Sequence, residues 1–299
     1  MSVALVTGAG GFVGRHLVAH LRASGDRVVA VDREVDVRDP RAVADALGAS
    51  APEVVYHLAA LSHVGRSWDE PEAVRAVNVG GTRSVLAAVA ARAPGARVVV
   101  VSSAEVYGVT RPEDQPLGET RTLAPVSPYA SSKAEAEGLA LEAAAGGLDV
   151  VVVRPFNHVG PGQGPTFFVP ALVGRLLEAR AGGRAEVRVG DLSARRDLTD
   201  VRDVVRAYRL LARRGASGGV YNVASGVDHA MAEVAAALVA MVAPGTPLVL
   251  DPSLVRPVEV PVSRGDPTRL TEATRWRPQI DLARSLSDVV SDLTRSHQG

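Results

Sequence analysis

The segment TGAGGFVG, residues 7–14, follows a short apolar run at 2–6 and opens a stretch in which Phe12, Leu17, Val18 and Leu21 share one helical face. A strand that turns through glycines into a helix brings free backbone N–H groups and the positive end of a helix dipole to one point, and that point suits a pyrophosphate. The glycines Gly8, Gly11 and Gly14 have the spacing G-x-x-G-x-x-G, one residue away from the commonest dinucleotide fingerprint. A second apolar strand at 27–31 closes on Asp32. A carboxylate there binds both ribose hydroxyls of an adenosine and repels a 2′-phosphate. Arg33 beside it would attract that phosphate, so the charges favour NAD(H) and leave NADP(H) open. Asp36 and Val37 are expected near the adenine.

Outward from this segment, apolar strands at 53–58, 98–103 and 149–154 alternate with helical patterns at 40–47, 71–93 and 128–145. Such alternation predicts βαβ units around a parallel sheet buried on both faces. After Pro155 the texture changes. A Gly- and Pro-rich loop at 156–165 precedes helical patterns at 166–181, 199–214, 231–242 and 282–293, with a short strand at 220–223. The expected organisation is a dinucleotide-binding domain over 1–155 and a smaller substrate lobe over 156–299, with about 200–226 returning to the main sheet.

The chain has 299 residues, a formal net charge of zero and no cysteine. Zero charge argues against a nucleic-acid binder. The lack of cysteine excludes disulfides and thiolate metal sites, and no metal site is expected. With 46% hydrophobic and 22% charged residues the chain can bury a core. Its apolar runs are far too short to span a bilayer, and no basic stretch precedes a long apolar one at the N-terminus. A cytoplasmic protein without a membrane partner is expected.

Of the 33 basic residues only Lys133 is lysine. Where arginine serves almost everywhere else, one lysine points to a task for a compact ammonium. Tyr129 lies four residues earlier, on the same helical face. A cation beside a phenol stabilises the phenolate, so the pair can pass a proton during ketone reduction. Lys133 can also hydrogen-bond a nicotinamide ribose. Ser103, at the end of the fourth strand, can donate to a developing oxyanion.

The segments TGAGGFVG (7–14), HLAA (57–60), NVGGT (78–82), SSAEVYG (102–108) and YASSK (129–133) resemble the extended short-chain dehydrogenase/reductase superfamily, the NAD-dependent epimerase/dehydratase family. The resemblance runs essentially end to end. It implies a doubly wound parallel sheet of the Rossmann type in an α/β fold with a smaller C-terminal substrate lobe. It also implies a nucleotide-sugar substrate and Leu58, Ala59 and Ala60 beside the cofactor. Further segments, FNHVGPGQ (156–163), RRDLTDVRDVVRAY (195–208), VYNVASG (220–226) and RPVEVPV (256–262), are similar to the branch that reduces GDP-6-deoxy-4-keto-D-mannose to GDP-D-rhamnose.

That likeness implies Ser103, Tyr129 and Lys133 as catalytic residues. It implies Asn157, Val169, Arg196, Arg256 and Glu259 as substrate contacts, with the two arginines near the diphosphate, where a guanidinium fork pairs with phosphate oxygens. Glu105 occupies the position of the base in related 4,6-dehydratases. Those enzymes commonly carry Thr where this chain has Ser103, and some carry Asp where it has Ala104, so a positioning role for Glu105 fits better. The alternative is a 4-epimerase or 4,6-dehydratase with tightly held NAD. Related enzymes pair the helices at 71–93 and 128–145 into an intermolecular four-helix bundle, which implies a homodimer.

Overall fold

The computed structural model describes residues 2–255 and 260–298. The first half alternates as expected: β1 (Val3–Thr7), α1 (Phe12–Ala23), β2 (Arg27–Val31), α2 (Pro40–Ser50), β3 (Val54–His57), α3 (Pro71–Arg75), α4 (Gly81–Arg92), β4 (Arg97–Val101), α5 (Pro128–Ala145) and β5 (Val150–Pro155). There follow β6 (Asn157–Val159), α6 (Phe168–Gly182), β7 (Val187–Val189), β8 (Arg195–Asp200), α7 (Val201–Arg214), β9 (Val220–Val223), β10 (Asp228–Ala230), α8 (Met231–Val242), β11 (Leu248–Leu250), β12 (Val262–Ser263), α9 (Thr268–Thr274) and α10 (Leu282–Gln298).

The main sheet has the order β2-β1-β3-β4-β5-β9, and every neighbouring pair is parallel. Side chains alternate across it, as the pleat requires. Ala4, Val6, Val99, Val151 and Val153 face α1, α7 and α9 in one core. Leu5, Val98, Val100, Val150 and Val152 face α2, α4 and α5 in another. Each fully buried valine contributes roughly 1.5–3 kcal/mol relative to exposure, which explains why the valine runs of β4 and β5 form central strands. The chain leaves β1 for β2 on one side and returns past it to β3 on the other. This reversal opens a crevice above the C-terminal ends of β1 and β3, where α/β sheets bind ligands.

A third core joins α6, α8, α10 and β7. The strand at 220–223 lies beside β5, so this late segment completes the main sheet. Among the described residues no helix is long and apolar enough to cross a membrane.

Three expectations change. The segment 156–165 is not all loop, because Asn157–Val159 forms β6 through pairing with the distant β8. The segment 71–93 is not one α-helix: α3 and α4 are joined by a wide π-turn, Ala76–Gly80. Asn78 in that turn accepts from Leu61 N at 2.8 Å and donates from Nδ2 to Ser132 Oγ at 2.9 Å, so the widened turn aims an amide at neighbouring segments. The helix expected from 199 starts at Val201, because Asp200 caps it by accepting from Arg202 N at 2.8 Å. The charged residues before it form β8, which pairs with β10, β12 and β6. Five of its six residues are charged or polar, so no apolar alternation announces a strand. Of the two tryptophans, Trp276 is fully buried and donates from Nε1 to Asp203 O at 3.0 Å, whereas Trp68 is 52% exposed.

Candidate active site

A cleft of about 1330 Å³ runs from the C-terminal ends of the main strands to the third core. Its dinucleotide-sized end begins at the glycines. Gly8 has φ +67°, and a Cβ there would stand 2.8 Å from Ala59 N. A Cβ on Gly14 would stand 2.8 Å from the Ala9 Cα and deeper still against the Gly8 carbonyl. Only glycine therefore keeps β1, the turn and α1 this close. The turn is closed by Gly11 N donating to Gly8 O at 3.1 Å. The Gly11 cap carries no side-chain hydrogen bond, and no acidic residue stands in the first turn of α1. An uncapped, non-acidic helix start opening into a cleft fits a dinucleotide diphosphate.

Asp32, Arg33, Asp36 and Val37 line the same end, with Leu58, Ala59 and Ala60 opposite and Phe12 and Val13 at the base of α1. Sequence reasoning missed Gly10, whose backbone abuts the Asp32 carboxylate, and Arg38, which grips Asp36 through Nε at 3.0 Å and Nη2 at 2.6 Å. Hydrogen bonds from Arg38 hold the Asp36 carboxyl down at about 2. The adenosine end thus carries two carboxylates, Asp32 and Asp36, and two guanidinium groups, of which Arg38 is paired with Asp36.

Ser103, Tyr129 and Lys133 meet on the wall beyond, each less than 10% exposed. Ser103 leaves β4 in an extended conformation and accepts from Glu105 N at 3.2 Å. Tyr129 and Lys133 stand on the first turns of α5, which begins at Pro128 and is capped by Ser127 accepting from Ala130 N at 3.1 Å. Burial pushes the Tyr129 phenol up to about 12; a hydrogen bond with Ser103 pulls it back and the charge of Glu105 adds to the rise. Burial pushes the Lys133 ammonium down to about 8, against the attraction of Glu137.

His57 is buried between Thr7 Oγ1 at 2.9 Å and Thr82 Oγ1 at 3.0 Å. Its burial and the charge of Lys133 hold it at about 3, so it stays neutral at physiological pH.

Glu105, Asn157, Val169 and Arg196 line the far half of the cleft. Arg196 donates to Val260 O at 2.6 Å. Asp197, its neighbour on β8, points into the fold and accepts from the Ser225 and Gly226 amides, both at 2.9 Å. Arg256 and Glu259 lie outside the described residues. Residues that reasoning from sequence did not assign include Asn78, inside the quoted segment NVGGT, and Glu137, one turn past Lys133 on the same helix face; extending the four-residue spacing would have found the latter.

The cleft is that of a nicotinamide-dependent enzyme, and comparison with known proteins agrees. A model of the NAD dependent epimerase/dehydratase family matches residues 4–224. The chain is 35% identical to GDP-6-deoxy-D-mannose reductase of Pseudomonas aeruginosa over 96% of this chain and 95% of that protein. It is 36% identical to UDP-glucose 4-epimerase of Mycolicibacterium smegmatis over 96% of each. The solved structure of RMD from Pseudomonas aeruginosa complexed with NADPH superposes with a TM-score of 0.93 at 34% identity, covering 99% of this chain and 100% of that one. With its glycine turn, its Tyr–Lys helix and its sheet order, the chain belongs to the NAD dependent epimerase/dehydratase family.

Proposed function

We propose that this protein reduces the C4 ketone of a 4-keto-6-deoxy nucleotide sugar, most specifically GDP-6-deoxy-4-keto-D-mannose to GDP-D-rhamnose, in the cytoplasm. The observation that carries the reading is the likeness to GDP-6-deoxy-D-mannose reductase over 96% of the chain at 35% identity, together with Ser103, Tyr129 and Lys133 on one wall of the cleft. In this reading residues 1–155 hold the dinucleotide and 156–299 the sugar nucleotide.

A bound reduced nicotinamide supplies the hydride. The glycine turn and the start of α1 hold the diphosphate, and Asp32 the adenosine ribose. Tyr129 gives its phenolic proton to the oxygen at C4, and the Lys133 ammonium sustains the phenolate left behind. Ser103 donates a hydrogen bond to that oxygen as its charge develops. Arg196 faces the substrate diphosphate, and Glu105 and Asn157 orient the sugar.

The test is a panel of 4-keto nucleotide sugars offered with NADH and NADPH and followed at the nicotinamide absorbance. Oxidation with the GDP-linked ketone is expected, and no oxidation with any member sinks the proposal. The comparable identity to a 4-epimerase, 36% against 35%, favours a second reading, in which NAD stays bound and is regenerated within one turnover.

Asp32→Ser is expected to weaken NADH by about tenfold or more, the worth of a hydrogen bond to a charged group at roughly 1.5–3 kcal/mol. It should weaken NADPH less, because a repulsion disappears while Arg33 and Arg38 remain. Titrating both dinucleotides checks this, and an equal loss for both would move the ribose contact elsewhere. We also propose a homodimer through α4 and α5, whose outer faces expose Ala87, Ala90 and Ala91 beside half-exposed Ala134 and Gly138. Sedimentation at micromolar concentration should give twice the chain mass of 31.1 kDa; a monomer alone would contradict it.

A further inference from the structure

Of the buried side-chain atoms that find no hydrogen-bond partner among the described residues, only Tyr208 Oη belongs to a residue that borders the cleft. Tyr208 stands on α7 and is fully buried. Three other buried tyrosines are partnered at the hydroxyl. Tyr107 Oη donates to Asn222 Oδ1 at 2.6 Å, Tyr221 Oη accepts from Ala216 N at 2.9 Å, and Tyr129 hydrogen-bonds Ser103. A buried hydroxyl without a partner costs free energy. If packing were its only task, phenylalanine would serve better at 208.

The run of α7 sets where the phenol points. The C-terminal end of this helix lies by the start of β4, because Arg97 Nη1 donates to Ala212 O at 3.3 Å and to Gly215 O at 2.8 Å. Its N-terminal end therefore lies toward the C-terminal ends of the strands, where the cleft opens. A helical side chain leans toward the N-terminus of its own helix. The Tyr208 hydroxyl is thus carried from the valine core of the sheet toward the cleft, and Val101, packed on the same core, borders the cleft with it. Tyr129 reaches the cleft from α5, on the other face of the sheet. Burial pushes the Tyr208 phenol up, and the nearby Tyr129 adds to the rise, so Tyr208 keeps its proton at physiological pH.

We propose that the Tyr208 hydroxyl holds the nicotinamide end of the dinucleotide through a hydrogen bond to its carboxamide. The proposal rests on the placement of the nicotinamide beside Tyr129 and Lys133. In that placement Lys133 takes the ribose, and Tyr129 and Ser103 take the C4 oxygen, all from the α5 side. The carboxamide is the polar group of that end still to be held, and Tyr208 approaches from the α7 side. An amide offers both acceptor and donors, and a phenol pairs with either.

Tyr208→Phe removes one oxygen and leaves the ring. That oxygen has no partner to lose in the free protein, so the free variant should melt at or slightly above the wild-type temperature. Its affinity for NADH and NADPH should fall by about fivefold, the worth of an ordinary hydrogen bond. ADP-ribose and 2′-phospho-ADP-ribose, which lack the nicotinamide, should bind variant and wild type alike. Calorimetric titration reads all four ligands. Unchanged dinucleotide affinity overturns the proposal, as does an equal loss for the ligands without nicotinamide. A lower melting temperature with unchanged dinucleotide affinity would also overturn it, and would assign the hydroxyl to a water inside the fold. No sugar takes part, so a failed ketone panel would strike the proposed function and not this contact.

Discussion

Tyr129→Phe is expected to lower turnover in ketone reduction by about two to four orders of magnitude, the usual worth of a positioned acid. Hydride arrival at C4 leaves an alkoxide that must be protonated, and the wall beside it is built of buried side chains. The Tyr129 hydroxyl is suited to that task. It is buried, its proton is held up to about 12 so that it is present at neutral pH, and it hydrogen-bonds Ser103. Ser103 can steady the oxyanion but has no adjacent cation to sustain loss of its own proton. The phenylalanine ring fills the same space, so folding and dinucleotide binding should survive, and titration of NADPH checks that they do. Turnover above about a tenth of wild type would break the assignment, given that expected loss. The proton would then have to come from Glu105 or from the substrate.

Lys133→Arg is expected to be nearly as damaging, although it conserves charge. Lys133 is 7% exposed, and the nearby buried His57 ring is fixed by hydroxyls on both sides. A planar guanidinium is larger, and its charge is spread over a fork that cannot occupy the position of a compact ammonium. The cost should fall on both turnover and dinucleotide affinity if, as proposed, the same ammonium also binds the nicotinamide ribose. Steady-state kinetics with a parallel NADPH titration measures both. Wild-type kcat with unaltered affinity would show that any nearby positive charge suffices.

How much of this was legible in the sequence differs between the two halves of the chain. Strands such as Val150–Val153 announce themselves because burial on both faces demands continuous β-branched residues, and α5 was legible to its ends because Pro128 at its start and Gly146 after it bound an alanine-rich run. The second half was less legible. The strands β6, β7, β10, β11 and β12 are two or three residues long, and their existence depends on partners distant in the chain. The π-turn at Ala76–Gly80 was hidden because its cause, the Asn78 hydrogen bonds to Leu61 and Ser132, is tertiary.

The site followed the same division. Residues at glycines or at a fixed helical spacing, such as Gly8, Tyr129 and Lys133, could be named from sequence. Glu137 was within reach of the same four-residue spacing, but Arg154 was not, because a strand arginine that pairs with a buried helix carboxylate leaves no local pattern. Gly10 beside Asp32 also escaped, since its closeness comes from two strands meeting rather than from the motif.

The central claim is that hydride leaves the dinucleotide and stays in the sugar. Its most direct test is the stoichiometry of NADPH consumed against product formed, with purified protein and GDP-6-deoxy-4-keto-D-mannose, the product being resolved by chromatography. The account predicts one equivalent of NADPH oxidised for each GDP-6-deoxyhexose formed, with no product when NADPH is omitted. Conversion of a nucleotide sugar with no net oxidation of NADPH would contradict it and assign the cleft to an epimerase or dehydratase cycle.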